Sequence, residues 1–276
     1  DARISLERLS EIHNKNDEER DYTTKLNSIS PISDLVLSKV YFKYIGTDNY
    51  VLKNMSLIIP ANKITAIVGV SGSGKTTLMK LLLKYYEPNN GDIMLGLNKL
   101  SSISHREWRD NFGVVMQEDF IFNDTIANNI AVGEDYIDKE KLKYAVDVAN
   151  IKNYIEELPL SYNTEIGMEG LGMSTGQKQR MLIARAVYKN PRYLFFDEAT
   201  SALDANNEKE IMQKLNVFFK EKTVIVIAHR LSTVKNAHQI LVLDKGIVSE
   251  IGNHSQLVAK QGAYFELIKN QLELGN

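Results

Sequence analysis

The sequence predicts an α/β fold in which a mainly parallel core sheet carries an N-terminal antiparallel β subdomain and an inserted α-helical subdomain at about residues 101–190. Three features lead there. A strand at Lys63–Val68 runs into a glycine-rich loop and then into a helix at Thr76–Tyr86, where Leu78, Leu81, Leu82 and Tyr85 recur at helical spacing. Two apolar strands, Tyr193–Phe196 and Thr223–Ala228, flank a helical stretch from Ala205 to Phe219, the order expected of parallel strands joined by a crossover. Between these regions the chain reads as mainly helical, most clearly at Lys139–Ala149, Ile151–Glu157 and Gly176–Tyr188.

Taken in order, residues 2–13 set Ile4, Leu6, Leu9 and Ile12 among charged neighbours, one apolar stripe that reads as the end of a helix. Asn14–Ser30 is polar, with Asp17, Glu18, Glu19, Arg20 and Asp21 in a row, and reads as a linker that buries too little to order itself. Residues 1–33 are therefore assigned to a helix end with its linker, and 34–276 to one domain. From Asp34 the pattern turns to β: Leu35–Tyr44, a turn at Gly46-Thr47-Asp48-Asn49, Val51–Ile59, then Pro60-Ala61-Asn62 before Lys63. Toward the end, Ile240–Leu243 and Ile247–Ile251 flank Asp244-Lys245-Gly246, a hairpin signal, and a helix at about Gly262–Leu274 closes the chain.

Composition narrows the function classes. With 276 residues, 43% hydrophobic and 25% charged, the chain can bury a sizeable core. A net charge of -2 supplies no basic field to gather nucleic acid, so none is expected as a partner. The absence of cysteine removes disulfides, thiolate nucleophiles and cysteine-based zinc sites, and favours a reducing compartment. No run of eighteen apolar residues and no charged-then-apolar leader occurs, so the chain itself is expected to be soluble, without a membrane span or signal. It opens on Asp1 rather than methionine, which fits a fragment cut from a longer protein.

The chemistry begins at Gly69-Val70-Ser71-Gly72-Ser73-Gly74-Lys75-Thr76, which fits G-x-x-x-x-G-K-[ST] between a strand and a helix. Glycines let backbone amides converge on phosphate, and the helix that follows presents its positive end to the anion. Lys75 is expected on the β- and γ-phosphates and the Thr76 hydroxyl on Mg²⁺; Thr77 completes the expected ATP-binding run. Tyr193–Asp197 leads to two carboxylates, Asp197 and Glu198, at the carboxyl edge of the predicted parallel sheet, where such sheets bind ligands. Asp197 is expected to hold Mg²⁺ and Glu198 to polarise the attacking water. His229 follows the strand Val224–Ala228 and is placed to hydrogen-bond the γ-phosphate, though a lone histidine is more often structural. Gln117 follows Gly113-Val114-Val115-Met116 and offers an amide oxygen to the metal; taken alone it reads equally as a polar loop residue.

At Gly172-Met173-Ser174-Thr175-Gly176-Gln177-Lys178-Gln179-Arg180 the chain resembles the signature of ATP-binding-cassette (ABC) ATPases, within the P-loop NTPase fold. The resemblance covers roughly Leu35 to the C-terminus. It implies that Gln117 is the Q-loop residue, that Ser201-Ala202-Leu203-Asp204 is the D-loop, that His229 is the switch histidine and that Tyr44 stacks on adenine. It also implies a head-to-tail dimer of two such domains, each ATP held between one phosphate loop and Ser174, Thr175, Gly176, Gln177 and Asp204 of the other copy. The signature usually reads Leu-Ser-Gly-Gly-Gln; here Met173 is a similar-volume exchange, whereas Thr175 adds a Cβ where glycine lets backbone approach phosphate.

Thr164-Glu165-Ile166-Gly167 is similar to the segment by which exporters of this family contact the intracellular loops of their membrane domain, and residues 1–30 resemble the stretch leaving the last transmembrane helix. The implied function is ATP hydrolysis by the motor domain of an exporter, at the cytoplasmic face of the inner membrane and attached to it only through a transmembrane domain. The likeness is nearest to bacterial peptidase-containing, bacteriocin-secreting exporters, which implies peptide cargo. Two alternatives are a cassette ATPase of DNA repair or chromosome maintenance, and a nucleotide-binding regulatory module that does not hydrolyse. The first is opposed by the lack of a sustained heptad run or basic stripe, the second by Glu198 and His229.

Overall fold

The computed structural model describes residues 6, 9–10, 13–14, 19, 25–29, 32–116, 120–167, 172–197, 205–228 and 234–274. Its centre is a six-stranded sheet in the order β12-β11-β3-β10-β9-β6, formed by β3 (Ile64–Val68), β6 (Phe112–Val115), β9 (Tyr193–Asp197), β10 (Thr223–Ile227), β11 (Gln239–Asp244) and β12 (Ile247–Gly252). All neighbours are parallel except β11 and β12, which form the hairpin expected around Lys245. Every residue of β9 and β10 is buried, as parallel strands covered on both faces require. Alternate side chains of β9 serve two cores, Leu194 and Phe196 one, Tyr193 and Phe195 the other, because successive residues of a strand point to opposite faces.

A second, antiparallel sheet of order β2-β1-β4-β5 is built from β1 (Leu35–Phe42), β2 (Leu52–Ile59), β4 (Asn90–Leu95) and the short β5 (Asn98–Lys99). The three strands that open the domain thus divide between two sheets: β1 and β2 pair, while β3 crosses into the core sheet after the Pro60-Ala61-Asn62 turn. Between the sheets lies α1 (Lys75–Leu82), whose Leu78, Met79 and Leu82 share a core with Leu35, Leu52 and Ile67. Trp108 of α2 (His105–Asn111) joins the same core, fully buried, its indole donating to the Leu82 carbonyl at 3.0 Å.

On the other face stand α3 (Ile126–Ile130), α4 (Lys139–Val148), α5 (Lys152–Glu157) and α6 (Thr175–Lys189), with a two-stranded ribbon of β7 (Asp124–Thr125) and β8 (Glu165–Ile166). Asp138 starts α4 by accepting from the Glu140 and Lys141 amides, and Asn190 ends α6 in the left-handed conformation. The helical subdomain is narrower than residues 101–190, because α2 packs into the core between the two sheets and β6 is an edge strand of the central one. After β9 follow α7 (Ala205–Phe218), α8 (His254–Lys260) and α9 (Ala263–Leu274).

Most of residues 1–33 lie outside the described residues; of the predicted helix end, Leu6, Leu9, Ser10 and His13 are helical, and the Asn14 amide donates to the Ser10 carbonyl at 2.9 Å. Where the linker is described it is docked: Leu26 pairs with Ile103, its amide donating to the Ser102 carbonyl at 2.9 Å and its carbonyl accepting from the Ser104 amide at 3.0 Å. Backbone pairing to a distant segment, with Ile29 and Ile32 packed against the core, holds it, which composition cannot reveal.

Candidate functional site

The loop Gly69–Gly74 leaves the carboxyl end of central strand β3 and enters α1. Gly69 has φ 153°, and a Cβ there would stand 2.3 Å from the Leu243 carbonyl oxygen and 2.7 Å from Ser73 Oγ, so only glycine fits this turn. Gly74, at the start of α1, provides no side-chain cap, which leaves the first amides of the helix for an anion. Lys75 is buried and folds back over the loop, its ammonium donating to the carbonyls of Gly69 at 2.9 Å and Val70 at 3.0 Å. Ser73 is 2% exposed, and its hydroxyl has no hydrogen-bond partner among the described residues. A buried unpaired hydroxyl is costly, and a phosphate oxygen in the cradle would satisfy it.

Asp197, buried at the end of β9, lies in register with Ile227 of β10, which pairs in turn with Ile67 of β3. This register brings the acid beside the loop: Thr76 Oγ1 donates to Asp197 Oδ2 at 3.3 Å. A hydroxyl and a carboxylate oxygen at one point are the hard donors that Mg²⁺ selects. Tyr44, just beyond β1, reaches the first turn of α1, where its hydroxyl is 3.1 Å from Thr77 Oγ1 and its ring stands edge-on to Phe42 and Tyr86. The fold therefore gathers Tyr44, Lys75, Thr76, Thr77 and Asp197 around one sheet edge, while Val70, Ser71 and Gly72 face solvent. Gln117, Glu198, Asp204 and His229 lie outside the described residues.

In the sequence Gly246 signals only a hairpin turn, yet it supports the loop. Its amide donates to the Ser73 carbonyl at 3.1 Å and its carbonyl accepts from the Lys53 amide at 2.8 Å. With φ 83°, a Cβ on it would lie 2.0 Å from the Val51 carbonyl oxygen. Gly246→Ala is therefore expected to cost about 2–3 kcal/mol through backbone strain, and to weaken nucleotide binding as the loop shifts. Thermal unfolding and nucleotide titration check this; an unchanged midpoint and affinity would contradict the contact.

Ser174, Thr175, Gly176 and Gln177 open α6. Ser174 Oγ accepts from the Gln177 amide at 3.2 Å while Gln177 Oε1 accepts from the Ser174 amide at 2.8 Å, a reciprocal cap that fixes the turn. Thr175 occupies the first helical position with an exposed side chain, so its Cβ is accommodated within the chain. Met173 packs partly buried against the core where the usual signature has leucine.

A second surface, missed in the sequence apart from Thr164–Gly167, lies between β6 and α6. A cavity of about 400 Å³ is lined by Phe112, Val114, Ile130, Val132, Arg185 and Lys189, among others. Burial pulls the Lys189 pKa below the ordinary lysine range, and its ammonium donates to the Arg109 carbonyl and lies 5.8 Å from the Phe112 ring. Nearby Phe120 and Phe122 are exposed and meet edge-to-face at 5.5 Å. They are held in place from below: buried Asn129 exchanges two hydrogen bonds with the Phe122 backbone, and Arg185 donates to the carbonyls of Phe120 and Asn129. β8 brings Glu165 and Gly167 alongside through its pairing with β7. Apart from Thr164–Gly167 the sequence offers no cue to it, because the hydrogen bonds by which Asn129 and Arg185 hold Phe120 and Phe122 depend on a loop no local pattern places.

A family model described as ABC transporter matches residues 52–201, more than half of the chain, spanning the loop, the signature and Asp197. The chain belongs to the ABC transporter family. It is 42% identical over 263 residues to the alpha-hemolysin translocation ATP-binding protein HlyB of Escherichia coli O157:H7, a match covering 95% of this chain and 37% of that protein. It is 43% identical over 235 residues to the ATP-dependent lipid A-core flippase of Haemophilus influenzae strain Rd, covering 85% and 40%. A solved structure of a bacterial Atm1-family ABC exporter with ATP bound superposes with a TM-score of 0.89 at 36% identity, covering 97% of this chain and 47% of that one. The chain thus spans less than half the length of these relatives. The ABC ATPase fold predicted from the sequence is the fold of the chain.

Proposed function

We propose that this chain is the ATP-hydrolysing motor domain of an ABC exporter, acting at the cytoplasmic face of a membrane through a transmembrane domain. The observation that carries the reading is the meeting of Lys75, the Thr76 hydroxyl and the Asp197 carboxylate at the mouth of a loop holding an unsatisfied buried hydroxyl. Relatives named as translocation ATP-binding proteins and as a flippase support the coupling to export.

In this reading the amides of Gly69–Lys75 and the Ser73 hydroxyl hold the ATP phosphates, and Lys75 turns from the loop carbonyls to the β- and γ-oxygens. Tyr44 faces the adenine. Thr76, Asp197 and Gln117 would hold Mg²⁺, which would supply charge neutralisation on the phosphates. Glu198 accepts a proton from water as its oxygen attacks the γ-phosphorus; the bond from that phosphorus to the β-bridging oxygen breaks and ADP carries the electron pair away. His229 hydrogen-bonds the γ-phosphate. The site is completed across a head-to-tail dimer by the partner's Ser174, the partner's Thr175, the partner's Gly176, the partner's Gln177 and the partner's Asp204.

The transmembrane domain would seat on the surface of Phe120, Phe122, Val132 and Glu165, whose exposed aromatic pair sits on a fully hydrogen-bonded base. Peptide cargo is the reading that fits best, since relatives with nearly full coverage of this chain are named for alpha-hemolysin and an RTX toxin. If the site is shared between two copies, steady-state ATPase activity per chain should rise with chain concentration before levelling off. A rate per chain independent of concentration at every dilution, in a monomeric sample, would reject the shared site.

A further inference from the structure

Glu19, in the polar stretch ahead of the domain, belongs to a buried cluster of charges on the domain. Glu19 is only 7% exposed, and its carboxylate accepts from the His105 amide at 2.9 Å. The same oxygen stands 3.9 Å from Lys84 Nζ and 3.9 Å from His105 Nε2. Lys84 is 6% exposed and its ammonium donates to the Ile103 carbonyl. Burial draws the Lys84 pKa down while the Glu19 charge raises it; Lys25, Glu87 and Arg109 are the other charges that act on it.

The residues that follow are tied to the same region. Lys25 donates to the Ser101 carbonyl, the Leu26 amide to the Ser102 carbonyl, and the Ser104 amide to the Leu26 carbonyl. The Ile29 amide donates to Glu107 Oε1, and Ser33 exchanges hydrogen bonds with the buried Tyr193 hydroxyl. Lys84 lies two residues beyond the end of α1, the helix whose other end carries Lys75 and Thr76. An ion pair withdrawn from water carries a desolvation cost that a merely solvated linker would never meet.

We propose that Glu19 is a positioning residue: together with residues 25–29 and 32–33 it forms a strap pinned across the carboxyl end of α1, so that displacement of the strap reaches the nucleotide through that helix. α1 has eight residues, about 12 Å of helix, and is buried along Leu78, Met79, Leu81 and Leu82, so it moves as one body. What pulls on the strap rests on the exporter reading, in which a membrane domain precedes it. The pin itself does not.

Hydrogen exchange and ATP titration on this chain test both parts. Glu19→Ala is expected to speed exchange at the Leu26 and Ser104 amides by roughly tenfold or more, because a charge-assisted contact is lost. Glu19→Gln, which keeps an acceptor for the His105 amide but strands the Lys84 ammonium, guards against misfolding of the alanine variant and is expected to change ATP affinity by about fivefold or more. Adding Lys84→Met to Glu19→Gln removes the stranded charge and should return both readings to within about twofold of the parent, since a neutral pair can replace a buried ion pair. Unchanged exchange at Leu26 and Ser104 in both single variants overturns the pin. Faster exchange with unaltered ATP affinity overturns the positioning role. A parent chain that binds no ATP would defeat the functional reading, while exchange would still decide the pin.

Discussion

Glu198→Gln is expected to lower ATP turnover by about a hundred- to ten-thousandfold while leaving ATP affinity within a few-fold of the parent. The substitution preserves size and one acceptor oxygen, so the phosphate cradle of Gly69, Ser73 and Lys75 keeps its form. What it removes is basicity, and a general base acts only on the step in which water loses its proton. Single-turnover hydrolysis beside equilibrium binding separates the two effects. Retained turnover would transfer the base to another group; lost binding would make Glu198 part of the cradle rather than of the chemistry.

The second large effect falls on binding. Lys75→Met should weaken ATP affinity by about 3 kcal/mol, roughly a hundredfold, because a charge-assisted contact to phosphate is removed from a buried site. The geometry adds a nucleotide-free consequence. The Lys75 ammonium closes the loop on itself through the Gly69 and Val70 carbonyls, so methionine takes that donor from both, leaving Val70 its bond from the Ser73 amide at 3.2 Å, and is expected to lower stability by about 1–2 kcal/mol even without ATP. Arginine is not expected to rescue binding, since its planar fork replaces a compact ammonium seated among backbone groups. Thermal unfolding with and without ATP and Mg²⁺ reads both effects: the parent midpoint rises with ligand and the variant midpoint does not. An equal rise in parent and variant would remove Lys75 from the site.

Much of this was legible in the residues because the signals are local. The strand at Ile64–Val68, the glycine loop and α1 are consecutive, and the fully apolar runs of β9 and β10 announce parallel strands buried on both faces. Other elements depend on distant partners. β4 begins with Asn90-Gly91, which reads as a turn, and becomes a strand only because β1 is there to pair with it. β6 has four residues, too few for periodicity to assign, and is fixed by its register with β9. The same holds for the site. Asp197 and the loop could be placed at one edge from strand order alone, but the support of Ser73 by Gly246 crosses 173 positions and no local pattern carries it. Glu19 is the extreme case: within a run of charged residues it reads as solvated, and only the fold brings His105 and Lys84 to it.

In the proposed function ATP joins two copies of this domain at a shared site. The most direct measurement is the solution mass of the Glu198→Gln variant by light scattering, with and without ATP and Mg²⁺. A monomer without nucleotide and a dimer with it are expected, and thereby a signature that works with Thr175 in place. A monomer under both conditions, in a sample shown to bind ATP, would contradict it.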